Sequence, residues 1–209
     1  MKKLTLFTIH ALIGLTLCAQ LQKPLGDRLY LKETIGSGTH FNAGFSIHFI
    51  SKDGYSVAVQ GVYETKEAHT LPKDYKGGTF GGIFGPPSTT LITGGVLLGR
   101  VRDTKSKLIR FDLRAGINYG YITRPVKFRP PEPSPSYGFK LFSSPNYDYD
   151  MEKKWFVGIV INPTIDFTFT RYIGLSLGLR ANINPQEIPL TVEVGFLIGN
   201  LRGKTRKSK

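Results

Sequence analysis

The sequence predicts an all-β chain, a single antiparallel, up-and-down transmembrane β-barrel of about eight strands. Period-two alternation recurs along most of the chain, and no segment after the N-terminus repeats at 3.6 residues. The alternating runs also exceed the five or six residues usual in soluble sheets. Finally, glycines gather on the polar face of those runs together with charged residues, which is unexpected for a face turned to water.

In chain order, residues 1–19 read as a secretory signal peptide, with Lys2 and Lys3 ahead of an apolar run from Leu4 to Leu17 and small Ala19 at its end. That run is short of the roughly 20 apolar residues a membrane helix needs. Cys18 would be a lipidation site only behind a small residue, and Leu17 is not small. A barrel domain is expected over 20–201 and a basic tail over 202–209. Strands are expected near 29–36, 39–50, 55–65, 89–101, 107–122, 154–169, 172–183 and 188–200, the first with the weakest signal.

The later strands carry the argument. From 109 to 121 the odd positions Ile109, Phe111, Leu113, Ala115, Ile117, Tyr119 and Tyr121 oppose Arg110, Asp112, Arg114, Gly116, Asn118 and Gly120. The strand from Trp155 to Phe169 sets Val157, Ile159, Ile161 and Ile165 against Gly158, Asn162, Thr164 and Asp166. Ile173 to Ile183 opposes Gly174, Ser176, Gly178 and Arg180, and Leu190 to Ile198 opposes Thr191, Glu193 and Gly195. A soluble barrel alternates too, but strands this long match a tilted crossing of about 9–11 residues, and glycines suit a crowded lumen. That lumen is expected to be plugged by Arg110, Asp112, Arg114, Asp166, Arg180 and Glu193, which could not be buried there unpaired.

Connections at 51–54, 102–106 and 170–171 are short, whereas 66–88 and 123–153 are long. With both chain ends on the periplasmic side, the short turns fall there and the long loops outside, the habit of such barrels; 37–38 and 184–187 are short exceptions. Aromatics sort into two levels, Phe41, Tyr63, Tyr119, Tyr121 and Trp155 toward the outer interface, and Phe49, Tyr55, Phe111, Phe167 and Phe169 toward the inner.

The stretch YIGLSLGLRANINPQEIPLTVEVGFLIGNLRG from Tyr172 to Gly203 resembles the small bacterial outer-membrane proteins of the β-barrel domain type. The resemblance implies an outer-membrane location, contact with outer-membrane lipid and the barrel-insertion machinery, and a non-enzymatic structural, adhesive or assembly role. Many such barrels end on an aromatic residue; this chain runs past Leu201 into Arg202, Lys204, Arg206, Lys207 and Lys209. A membrane-embedded lipid-modifying enzyme and a soluble periplasmic ligand-binding barrel are the alternatives.

The formal charge of +13 invites a nucleic-acid reading, but the cations are scattered and no recognition helix appears. Anionic lipid or a cell-wall or protein partner fits better. No cofactor is expected: GNLRGKT at 199–205 has three residues between its glycines where a phosphate loop needs four, and no helix follows. GGTFGGIFG at 77–85 runs into Pro86 and Pro87 and reads as a loop. Asp148, Asp150 and Glu152 alternate and could offer oxygens to calcium, or simply line a solvated strand extension. Ser46 and His48 share one face near Glu64, which could orient the histidine for hydrolysis. Two residues apart on a strand, they are not expected to hydrogen-bond as a catalytic pair does, and lumen hydrogen bonding is the plainer reading.

The loop 123–153 holds six of the chain's 13 prolines together with Phe128, Tyr137, Phe139, Phe142, Tyr147 and Tyr149. Stiff backbone and aromatic area make this a candidate partner-binding loop, against the alternative that it folds over its own barrel mouth.

Overall fold

The computed structural model describes residues 28–76, 86–131 and 145–202. The signal peptide, Cys18, the 77–85 loop, the tail beyond Arg202, and Tyr137, Phe139 and Phe142 lie outside the described residues.

Eight antiparallel strands form a closed meander: β1 Arg28–Gly38, β2 Phe41–Ile50, β3 Tyr55–Glu67, β4 Ser88–Asp103, β5 Ile109–Arg129, β6 Asp148–Thr168, β7 Ile173–Ile183 and β8 Leu190–Gly199. Each strand pairs with its sequence neighbours, and β1 pairs with β8 from Tyr30↔Gly199 to Gly38↔Thr191. Closure removes both sheet edges, the requirement for any sheet that crosses lipid.

One end of the barrel carries the start of β1, the end of β8 and the turns β2–β3, β4–β5 and β6–β7; the other carries the two longest connections. At the turn end Gly54 takes φ +85° in the Ser51–Gly54 turn, a conformation that suits glycine, and its N–H donates to Ser51 O at 3.1 Å.

At the loop end the sequence-based limits need correcting. β5 continues to Arg129 and β6 begins at Asp148, so much of the expected 123–153 loop is a two-stranded extension. A register shift between Val126 and Arg129, with Lys127 at φ 54°, marks a bulge there. Asp148, Asp150 and Glu152 belong to this extension: Asp150 pairs with Arg129 at 3.2 Å and Glu152 with Lys154 at 3.0 Å. No group of three acidic, His or Cys side chains among the described residues is arranged to hold a metal ion.

Burial runs opposite to that of a water-soluble fold. Leu98, Ile117 and Val157 are at least 60% exposed, while Arg110, Asp112, Arg114, Asp166, Arg180 and Glu193 are at most 3% exposed. A soluble domain almost never buries its charges and exposes its aliphatics in this way. Outward aromatics form two rings, with Tyr55, Phe111, Phe169 and Tyr172 at the turn end and Phe41, Tyr63, Tyr119 and Trp155 at the loop end.

Candidate functional site: the filled lumen and the loop end

Alternation sends every second side chain into a narrow lumen, and the contents stack in layers. At the turn end Tyr30, Ile50, Val101, Leu197 and Leu201 make an apolar plug. Leu201 lies beyond the last strand. Its N–H donates to Arg171 O at 2.8 Å, and its carbonyl accepts from Arg110 Nη1 at 3.4 Å. Arg202 donates to the carbonyls of Thr168 and Phe169, so the chain hooks across the barrel floor. The basic tail was expected to begin at Arg202; the structure docks this residue on the β6–β7 turn.

Above the plug lies the first charged tier. Arg110 Nε and Nη2 both donate to Asp166 Oδ2, at 3.0 and 2.7 Å, and the guanidinium lies 4.7 Å from the centre of the Tyr30 ring. Arg114 pairs with Asp112 and donates to Tyr30 Oη at 2.8 Å and Ser56 Oγ at 3.3 Å. Lys32 is buried in the same tier.

A second tier sits nearer the loops. Arg180 Nη1 donates to Gln60 Oε1 at 2.9 Å, and Arg180 Nε lies 3.6 Å from Glu64 and 4.0 Å from Glu193. Asparagines supply the remaining donors: Asn42 and Asn162 to Glu193, and Asn182 to Glu64. Between and above the tiers, Ala58 packs with Leu97 and Val160, and Leu91 with Ile122 and Phe156. Among the described residues, eight buried charges divide evenly, Lys32, Arg110, Arg114 and Arg180 against Glu64, Asp112, Asp166 and Glu193. The structure thus brings the six sequence-singled residues into two groups, Arg110, Asp112, Arg114 and Asp166 in one, Arg180 and Glu193 in the other. Lys32 was missed because it lies on the strand with the weakest alternation.

The mouth is cinched by Glu187 in the β7–β8 connection. Its carboxylate receives His40 Nε2 at 2.7 Å, Lys66 Nζ at 2.9 Å and Arg124 Nη2 at 3.0 Å, from three separate elements. Burial pushes this carboxyl up, but the hydrogen bonds from His40 and Lys66 outweigh it and hold it down at about 2.

Beyond the mouth, the 68–76 segment packs on the β5–β6 extension. Asn146 bridges it through Lys76 N–H at 2.6 Å and Asp74 O at 2.8 Å, and Tyr147 Oη donates to Asp74 at 3.0 Å. That bond, followed by desolvation, raises the Tyr147 hydroxyl above its ordinary value. Phe128 contacts Tyr75 and Tyr149, with ring centres 6.3 and 5.5 Å apart. Phe128, Tyr147 and Tyr149 therefore meet in loop-to-loop packing.

The Ser46 and His48 expectation is corrected. Their side chains do hydrogen-bond, Oγ to Nε2 at 2.6 Å, because same-face strand neighbours can lean together. Glu64 does not orient the histidine; it faces Asn182 and Arg180. His48 instead stacks on Tyr30 at 4.7 Å, and its Nδ1 has no hydrogen-bond partner. A buried Ser–His contact without an acid lacks the third group that a hydrolytic triad needs.

No protein-family model matches the sequence, and no curated protein matches it either. Among solved structures, the N-terminal β-barrel domain of Pseudomonas aeruginosa OprF is similar, at 11% identity over 82% of this chain and 96% of that one, with a TM-score of 0.53. The fold is that of the small outer-membrane β-barrels. Neisserial surface protein A is similar over 83% of this chain and 96% of its own, at 12% identity and a TM-score of 0.50. At such identities the likeness is one of fold.

Proposed function

We propose that this protein resides in the bacterial outer membrane as a closed, non-enzymatic barrel that presents its loop end outside the cell in a structural, adhesive or assembly role. The observation that carries the reading is the inverted burial: apolar side chains outward between two aromatic rings, and a charge-neutral, side-chain-filled lumen within. An apolar exterior of this kind is stable only in lipid, and a filled interior supports neither a pore nor a substrate route. Short turns at the end where β1 begins and β8 ends favour that end as periplasmic. In this reading the insertion machinery delivers the barrel into lipid, and the β5–β6 extension, raised above the mouth, meets a cell-wall or protein partner. Heat-modifiable migration on a detergent gel tests the barrel, and accessibility of Tyr149→Cys to an impermeant label in intact cells tests its orientation. A heat-insensitive band, or labelling only after lysis, would overturn the corresponding part.

A further inference from the structure

Pro163 interrupts the β6–β7 ladder, and a cleft of about 660 Å³ lies over it on the outer face of the barrel. Strand register sets Arg100, Leu113, Pro163, Leu179 and Val192 in one row from β4 to β8. The row is oblique: Arg100 lies three residues from the turn end of its strand, Leu113 four, Pro163 five, Leu179 six and Val192 seven. The cleft therefore starts at the turn-end rim and climbs toward mid-barrel. Phe111, Ile165 and Leu177 wall its lower side, and Arg102 joins Arg100 at its mouth.

The outward-facing ionisable groups of this cleft are the two arginines, since Asp112 turns its carboxylate into the lumen toward Arg114. Among the described residues neither arginine has a carboxylate within ion-pair distance; the neighbouring Asp103 is taken by Arg28 at 2.6 Å. Arg100 lies 5.5 Å over the Tyr55 ring, at the level of the turn-end aromatics that mark the headgroup region. Long basic side chains at that level keep their stems on apolar surface and their charge among headgroups. Two unpaired cations at headgroup depth, joined to an apolar groove that rises into hydrocarbon, match an amphiphile with an anionic head and an acyl tail. A water-borne polyanion would meet the arginines and leave the groove unused.

We propose that this cleft binds one anionic phospholipid, with its phosphate on Arg100 and Arg102 and an acyl chain laid along Leu113, Pro163 and Leu179. The site rests on the membrane reading above, and the test separates the two. Full-length protein carrying Trp155→Phe and one new reporter is inserted into phosphatidylcholine vesicles, and its quenching by brominated phosphatidylglycerol is compared with that by brominated phosphatidylcholine. The reporter is Phe111→Trp or Leu177→Trp in the cleft, or Phe45→Trp on β2, and folding of each variant is checked on a detergent gel. Cleft reporters should favour phosphatidylglycerol at least about five-fold, roughly what one arginine contributes at an anionic surface, and the Phe45 reporter should favour neither lipid. Arg100→Gln with Arg102→Gln should bring the cleft reporters to parity. Equal preference at all reporters, or a cleft preference that survives the double substitution, overturns the lipid site alone. Parity in the unsubstituted cleft, with cell-wall polymer co-sedimenting through Arg100 and Arg102, assigns the arginines to the polymer and overturns it too. Failure of the wild-type barrel to insert overturns the membrane reading and the lipid site together.

Discussion

Asn162 and Pro163 show how this barrel satisfies a backbone carbonyl opposite a proline. Proline in mid-strand cannot donate to the ladder, and the β6–β7 pairing skips from Ile161↔Ala181 to Thr164↔Gly178 around it. The Asn162 side chain supplies the missing donor, reaching Leu179 O at 2.8 Å. An unpaired carbonyl at bilayer depth is expensive. Asn162→Leu should therefore destabilise the barrel by about 1–3 kcal/mol in urea titrations from lipid vesicles, and adding Pro163→Ala should recover part of that. Recovery would separate the carbonyl from the bond that Asn162 also makes to Glu193. Removing Asp166 by Asp166→Leu should cost about 3–5 kcal/mol, since Arg110 is left buried and uncompensated, whereas Arg110→Met with Asp166→Leu should cost less than Asp166→Leu alone. Alternation made the inward direction of these side chains legible in the sequence. Their partners were not, because Arg110 meets Asp166 through a strand register that no local pattern encodes.

Among the elements, strand existence was legible and strand length was not. Lipid-facing alternation marks the crossing of β5 and β6, but the pattern fades above Tyr121 and Trp155, where pairing continues in water. Backbone hydrogen bonding and the Phe128–Tyr149 contact sustain it there without apolar alternation. Since the crossing does not depend on that extension, replacing residues 128–148 with a two-residue turn should leave heat-modifiable migration unchanged. The β7–β8 connection should instead be sensitive to acid. Glu187 sits at about 2 in the fold against an ordinary 4.5, so its contribution is complete above about pH 4.5 and is lost as pH falls through about 2. Hydrogen exchange at residues 184–189 should accelerate across that window in the wild type, and Glu187→Gln should flatten the response.

For the molecule as a whole, lumen and lipid face impose different penalties. Leu177→Arg, on the lipid face, should cost about 2–4 kcal/mol near the bilayer midplane. Ser176→Arg, one residue away, meets a filled interior: a Cβ on Gly195 would already lie 3.2 Å from Ser176 Cβ and 2.9 Å from Lys32 Cε. Overpacking there should reduce the yield of folded barrel on a detergent gel, the more so because a further cation joins Lys32, Arg110 and Arg114. Planar bilayers containing the protein should show no stable conductance of porin size. The floor of the lumen is completed by Leu201 and Arg202, which follow the closing strand and whose hydrogen bonds run to β5 and the β6–β7 turn. The contacts that zip β1 to β8 are therefore not the contacts that close the floor. A chain ending at Asn200 should still complete the ring of strands while leaving its turn end open to water.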